Sequence, residues 1–99
     1  MNKNESNYLY VNNLLKKVND ILIERENDYG QDFQDNLKKI ASISTILCGK
    51  TLDSKDISKI LISLKLVRES KNHKEDNIID VISYLSFLNS LEENKWLSI

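Results

Sequence analysis

Seven polar side chains fall at helical spacing on stripes that are otherwise apolar: Arg25 and Tyr29, Lys65 and Arg68, and Asn77, Asp80 and Tyr84. Burying unpaired charge is costly, so such residues must satisfy one another or face a ligand. If they face a ligand, the chemistry they suit is capture of an anion. Arg25, Lys65 and Arg68 offer guanidinium and ammonium donors to phosphate, Asn77 and Asp80 offer hydrogen bonds to a sugar or base, and Tyr29 or Tyr84 offers a ring for stacking. The positive end of a helix beginning near Glu75 adds to the attraction. The competing expectation is structural: Arg68 pairs with Asp80 or near Glu69, and Lys65 snorkels to water.

The elements that must position these residues are legible from apolar periodicity. Tyr8, Val11, Leu15, Val18 and Leu22 step by three or four, with Arg25 and Tyr29 continuing the stripe; the spacing predicts a helix over about 6–29, closed by Gly30. A second helix, about 32–48, carries Phe33, Leu37, Ile40, Ala41, Ser44 and Leu47 on one face and ends at Gly49. Asp53 with Asp56 three residues on reads as an N-cap followed by favourable acidic charge. It opens a third helix over about 54–70 with Ile57, Ile60, Leu61 and Leu64 inward, and Arg68 inside the same arc. After the polar connector "SKNHKED" a fourth helix runs from about 75 to 96, ending near Trp96. It is apolar on two faces, so it is either central or shared with a second subunit. Short connections make successive helices antiparallel neighbours. An up-down bundle would bring the ends of the first and third helices to the start of the fourth, and the polar groups with them.

The expected fold is therefore all-α: one four-helix, bundle-like domain over residues 1–99, assembled as a homodimer or larger oligomer. With 99 residues, no proline and only two glycines, the chain has few helix breakers and a modest core. A net charge of −1 argues against a general DNA or RNA binder, despite the helix-turn-helix look around Gly49. The lone Cys48 gives no disulfide framework and reads as a small apolar filler, consistent with a reducing compartment. No apolar run approaches bilayer length and no signal-peptide core opens the chain, so a cytoplasmic protein without a membrane partner is expected. His73 sits in a polar loop without a second His or Cys at ligand spacing. Glu24 and Glu26 lie off the centre of the first stripe, and Lys16, Lys17, Lys38 and Lys39 read as solvated surface.

The segments "ILIERENDYG", "SKDISKILISLKLVRES" and "EDNIIDVISYLSFL", with Asn36 between the first two, resemble a family of small phage and prophage proteins of no settled function. The resemblance spans about residues 21–88 and adds Asn36 to the ligand-binding set. It implies a host-cell cytoplasmic setting, in which one use for the pocket is sequestering a signalling nucleotide made by host defence. More distantly, "DNIIDVISYL" resembles the Glu-x-x-Asp helix of MazG-like all-α nucleotide pyrophosphohydrolases, which bind Mg2+ through carboxylates. Asp80 stands on the Asp position, but Asn77 replaces the Glu, and Lys65 and Arg68 stand where acidic ligands belong. The expectation is a non-enzymatic binder of a nucleotide or other phosphorylated small molecule, with no catalytic residue, no metal ligand and no cofactor. The alternatives are a pyrophosphohydrolase using Mg2+ on Glu24, Glu26, Asp76 and Asp80, and a protein-interaction module that blocks a host factor through its fourth helix.

Overall fold

The computed structural model describes the backbone over residues 3–29 and 32–93 and the side chains over 6–26 and 34–93. Four helices are present and no strand occurs among the described residues: α1 (Lys3–Tyr29), α2 (Asp32–Cys48), α3 (Ser54–Lys71) and α4 (Glu75–Glu92). The all-α, bundle-like expectation is met. The helix ends follow the expected boundaries closely, except that α1 begins three residues earlier and α4 ends at Glu92, with Glu93 as its C-cap, short of the expected 96. The proposed closure of α1 at Gly30, and Trp96 itself, lie outside the described residues.

Local chemistry accounts for the punctuation. Gly49 adopts φ 67°, the left-handed conformation that closes α2 at least cost for a residue without a Cβ, and its N–H donates to the Thr45 carbonyl at 3.0 Å. The Thr45 hydroxyl accepts from the Leu52 N–H at 2.8 Å and donates to the Leu52 carbonyl at 3.2 Å, tying the turn back to the helix. Asp53 then caps α3 reciprocally. Its Oδ1 accepts from the Asp56 N–H at 2.9 Å, and Asp56 Oδ2 accepts from the Asp53 N–H at 3.0 Å. The hydrogen bond from the Asp56 backbone holds the Asp53 carboxyl below its ordinary value of 3.8, against a smaller opposing effect of burial.

In space the helices follow the order α2, α3, α4, α1, with the densest packing between α3 and α4. Two serines make that contact close: Ser58 and Ser83 are 1% and 0% exposed, and each hydroxyl bonds the carbonyl four residues back in its own helix, Ser54 and Ile79. A small side chain with its polar group already satisfied lets two helices approach without a buried orphan donor. Between α2 and α3 the core is Leu37, Ala41 and Ile57, with Leu61 packed against it. Val18 of α1 and Ile79 of α4 are also buried.

Three expectations are corrected. First, α1 does not run antiparallel to α4 as an up-down bundle requires. Lys17 meets Glu75 and Arg25 meets Asp80, so the two helices run in the same sense. The first turns of α1 overhang the α3–α4 connector, leaving Tyr8, Val11 and Leu15 exposed rather than buried. The radius of gyration is 15.9 Å, against about 13 Å for a compact domain of this length. Second, Ile60 and Leu64 are 52% and 42% exposed, and Arg68, expected in their arc, is exposed with them. Third, on α2 only Leu37 and Ala41 of the described stripe are buried; Ile40 and Leu47 face out. Of the two options for α4, the central one holds within the chain, since α4 packs on α3 and α1.

Candidate functional site

Where α1, α3 and α4 meet, one carboxylate faces two cations. Lys65 Nζ lies 2.8 Å from Asp80 Oδ2, and Arg25 Nη2 lies 3.3 Å from Asp80 Oδ1. Each helix contributes one member: Lys65 from the second-last turn of α3, Asp80 from the second turn of α4, and Arg25 from near the end of α1. The pairing follows from the antiparallel register of α3 and α4, which also sets Glu69 against Asn77 and Lys55 against Glu92. Lys65 and Asp80 are 18% and 16% exposed, whereas Arg25 keeps 39% of its side chain in solvent. Among the described residues, two cations against one carboxylate give the junction a formal charge of +1.

One turn away on the same helix pair sits a second carboxylate with a different balance. Glu69 Oε1 accepts from the Lys74 N–H at 3.0 Å and from Asn77 Nδ2 at 3.3 Å, while Oε2 pairs with His73 Nδ1. Lys74 is the N-cap of α4 and makes no side-chain cap of its own, so the preceding helix supplies the acceptor. The hydrogen bond from the Lys74 backbone, then that from His73, holds the Glu69 carboxyl below its ordinary value of 4.5. The N-cap N–H of α4 is thus taken by the chain's own carboxylate, which sets negative charge at the end expected to attract a ligand's anion.

The eight candidate residues therefore separate. Arg25, Lys65 and Asp80 converge. Tyr84 lies one turn beyond Asp80 on α4, half-buried. Asn77 is 7% exposed and its amide is turned to Glu69. Arg68 and Asn36 are exposed, outside the junction's ion pairs. The side chain of Tyr29 lies outside the described residues. The structural expectation for this region had the partners exchanged: Lys65, not Arg68, takes Asp80.

The residue that sequence reasoning missed is Glu69. Its signal was present: a helix opening after Lys74, with no Ser, Thr, Asp or Asn as N-cap, must find an acceptor elsewhere, and Glu69 stands one turn after Lys65 on the same face.

A metal cradle does not form from the carboxylates considered for one. Glu24, Glu26 and Asp76 are exposed, Asp80 is engaged by cations, and among the described residues no three His, Cys, Asp or Glu side chains gather to hold an ion. A groove of about 530 Å³ lies between α1 and the start of α4, lined by Tyr10, Leu14, Lys17, His73, Glu75 and Ile78 among others. It shares no residue with the Arg25–Lys65–Asp80 junction. The Lys17–Glu75 pair along it, at 2.9 Å, is solvent-exposed, and the Glu75 hydrogen bond raises the Lys17 pKa. No described helix is long and apolar enough to cross a membrane.

Neither a curated protein nor a solved structure matches the chain. Residues 13–92, which include Arg25, Lys65 and Asp80, match one family model, and the chain belongs to that family, described as Domain of unknown function (DUF6378).

Proposed function

We propose that the Arg25–Lys65–Asp80 junction binds the phosphate of a small phosphorylated molecule, of the nucleotide class, and holds it without hydrolysis. The observation that supports this reading is the unequal count of charges among the described residues: two cations share one carboxylate in a half-buried setting. A cation not fully neutralised there attracts an anion more strongly than it would in bulk water. Arg25, the more exposed of the two, is the group an arriving phosphate meets first, and its planar fork suits two phosphate oxygens at once. Tyr84, one turn beyond Asp80, offers an aromatic surface for a base. Side-chain cations take the role that Mg2+ takes in carboxylate-based hydrolases, which favours capture over metal-assisted attack by water.

The test is thermal shift and calorimetry with mono-, di-, tri- and cyclic nucleotides in the presence of a chelator. The expected result is a rise in Tm with at least one class, with intact nucleotide recovered on denaturation. Turnover that appears only when Mg2+ is added would replace capture with hydrolysis. The chain is further proposed to act as a homo-oligomer, because only five hydrophobic residues among those described are buried, a thin core for this length.

A further inference from the structure

We infer that a second copy of this chain covers the outer face of the α2–α3 hairpin, so that two hairpins close into a four-helix interface about a twofold axis. This deepens the homo-oligomer reading above and rests on it, and it is independent of the phosphate junction. Six aliphatic residues define the face: Ile40, Ile43 and Leu47 on α2, and Ile60, Leu64 and Val67 on α3. At 100° per residue each triplet occupies one flank of its helix, beside the Leu37–Ala41 and Ile57–Leu61 seam. Because α2 and α3 are joined by the short 49–53 turn and run antiparallel, both flanks open on the same side of the hairpin. That side lies away from α4, which packs on the Ser58–Lys65–Glu69 flank of α3.

All six are between 42% and 80% exposed, whereas Ser58, Ser83 and Asn77 in the same chain are 7% exposed or less. The face leaves roughly 600 Å² of aliphatic surface open, the upper end of what a monomer carries in one patch. It also supplies most of the ~800 Å² per partner of a standard stable interface. The choice of a second copy follows from the charge pattern. Between the first and last aliphatic members, α2 holds no charged residue, and α3 holds only Lys65, which turns to Asp80 on the α4 side and off the stripe. A twofold interface sets each patch against itself, and an uncharged patch does so without like-charge repulsion. Paired antiparallel hairpins with short loops then bury the seam in the manner of a helix bundle.

The experiment is sedimentation equilibrium of the full chain over a wide concentration range, with Leu47→Glu and Leu64→Glu as interface variants and Tyr10→Glu on α1 as control. The expected result is a dimer that both interface variants convert to helical monomers and the control leaves intact. A wild-type monomer at the highest concentration overturns both this inference and the oligomer reading. A dimer that survives both interface variants, or that Tyr10→Glu disrupts, overturns the assigned face while leaving an oligomer in place. If a glutamate variant loses its helical signal, Leu47→Ser and Val67→Ser take its place. Each is expected to raise the dimer dissociation constant at least about tenfold, and an unchanged constant counts against the face. Amide exchange of wild type at high and low concentration gives an independent readout, with concentration-dependent protection expected over 40–47 and 60–67.

Discussion

The α3–α4 seam holds two carboxylates one turn apart, and they solve opposite problems. Glu69 collects donors that have no other acceptor: the uncapped N–H of Lys74, the buried amide of Asn77 and the ring of His73. It takes the N-cap N–H of α4 and sets negative charge where an anionic ligand would have to approach. Asp80 is instead outnumbered, with Lys65 at 2.8 Å and Arg25 at 3.3 Å. The first cluster is closed by its own chain and the second retains positive charge. The difference teaches that a helix N-terminus and a polar cluster are not sites by virtue of their chemistry alone. What counts is the balance of donors and acceptors after the chain has satisfied itself.

The sharpest way to break the comparison is to remove the outnumbered carboxylate. Asp80→Ala leaves two cations facing each other and is expected to cost about 3 kcal/mol, the low end of the range for a broken buried pair, because Arg25 can rehydrate. Chemical denaturation measures it, and a loss near zero would mean that the junction carries little of the α1–α3–α4 contact. Lys65→Ala is expected to cost about 2 kcal/mol, since one member of a short, mostly buried pair is lost while Arg25 still neutralises Asp80. Arg25→Ala, at a longer distance and with more solvent, should cost no more than about 1 kcal/mol. Equal losses for the two cations would contradict the ranking by burial.

The Asp53→Ala change removes a reciprocal cap far from both clusters and should cost about 1 kcal/mol, confined to the start of α3. Smallest at neutral pH but diagnostic in acid is Glu69. Its folded pKa lies below its ordinary value of 4.5, so the stability it contributes is present above about that pH and is lost as pH falls through the folded value. Glu69→Gln should flatten the part of the acid limb that begins below pH 4.5 in wild type. An unchanged limb would show that Glu69 titrates alike in the folded and unfolded states.

Much of this architecture was legible in the chain itself. Asp53 with Asp56, and Gly49 after Cys48, announce their turns because capping and left-handed backbone depend on adjacent residues only. The convergence of Arg25, Lys65 and Asp80 was readable as polar residues on apolar stripes. Arg68 was misplaced because its arc was drawn through Ile60 and Leu64, which this chain leaves exposed. Periodicity marks an apolar stripe without saying which chain covers it. The relative direction of α1 and α4 was equally hidden. It depends on which helix faces meet across long sequence separation, and the 3.6-residue repeat is indifferent to that choice. Glu69 escaped notice because its task is set by what α4 lacks at Lys74.

The claim that the Asp80 junction keeps usable positive charge is tested most directly by isothermal calorimetry with a nucleoside phosphate in chelator, comparing wild type with Asp80→Asn. That substitution retains the size of the side chain, but it keeps only one of the two oxygens that accept from Lys65 and Arg25 and raises the formal charge of these groups from +1 to +2. The expected result is tighter anion binding by about tenfold or more, even as the fold becomes less stable. Weaker or absent binding in Asp80→Asn, with the variant still helical, would mean that Arg25 and Lys65 serve the fold and not a ligand.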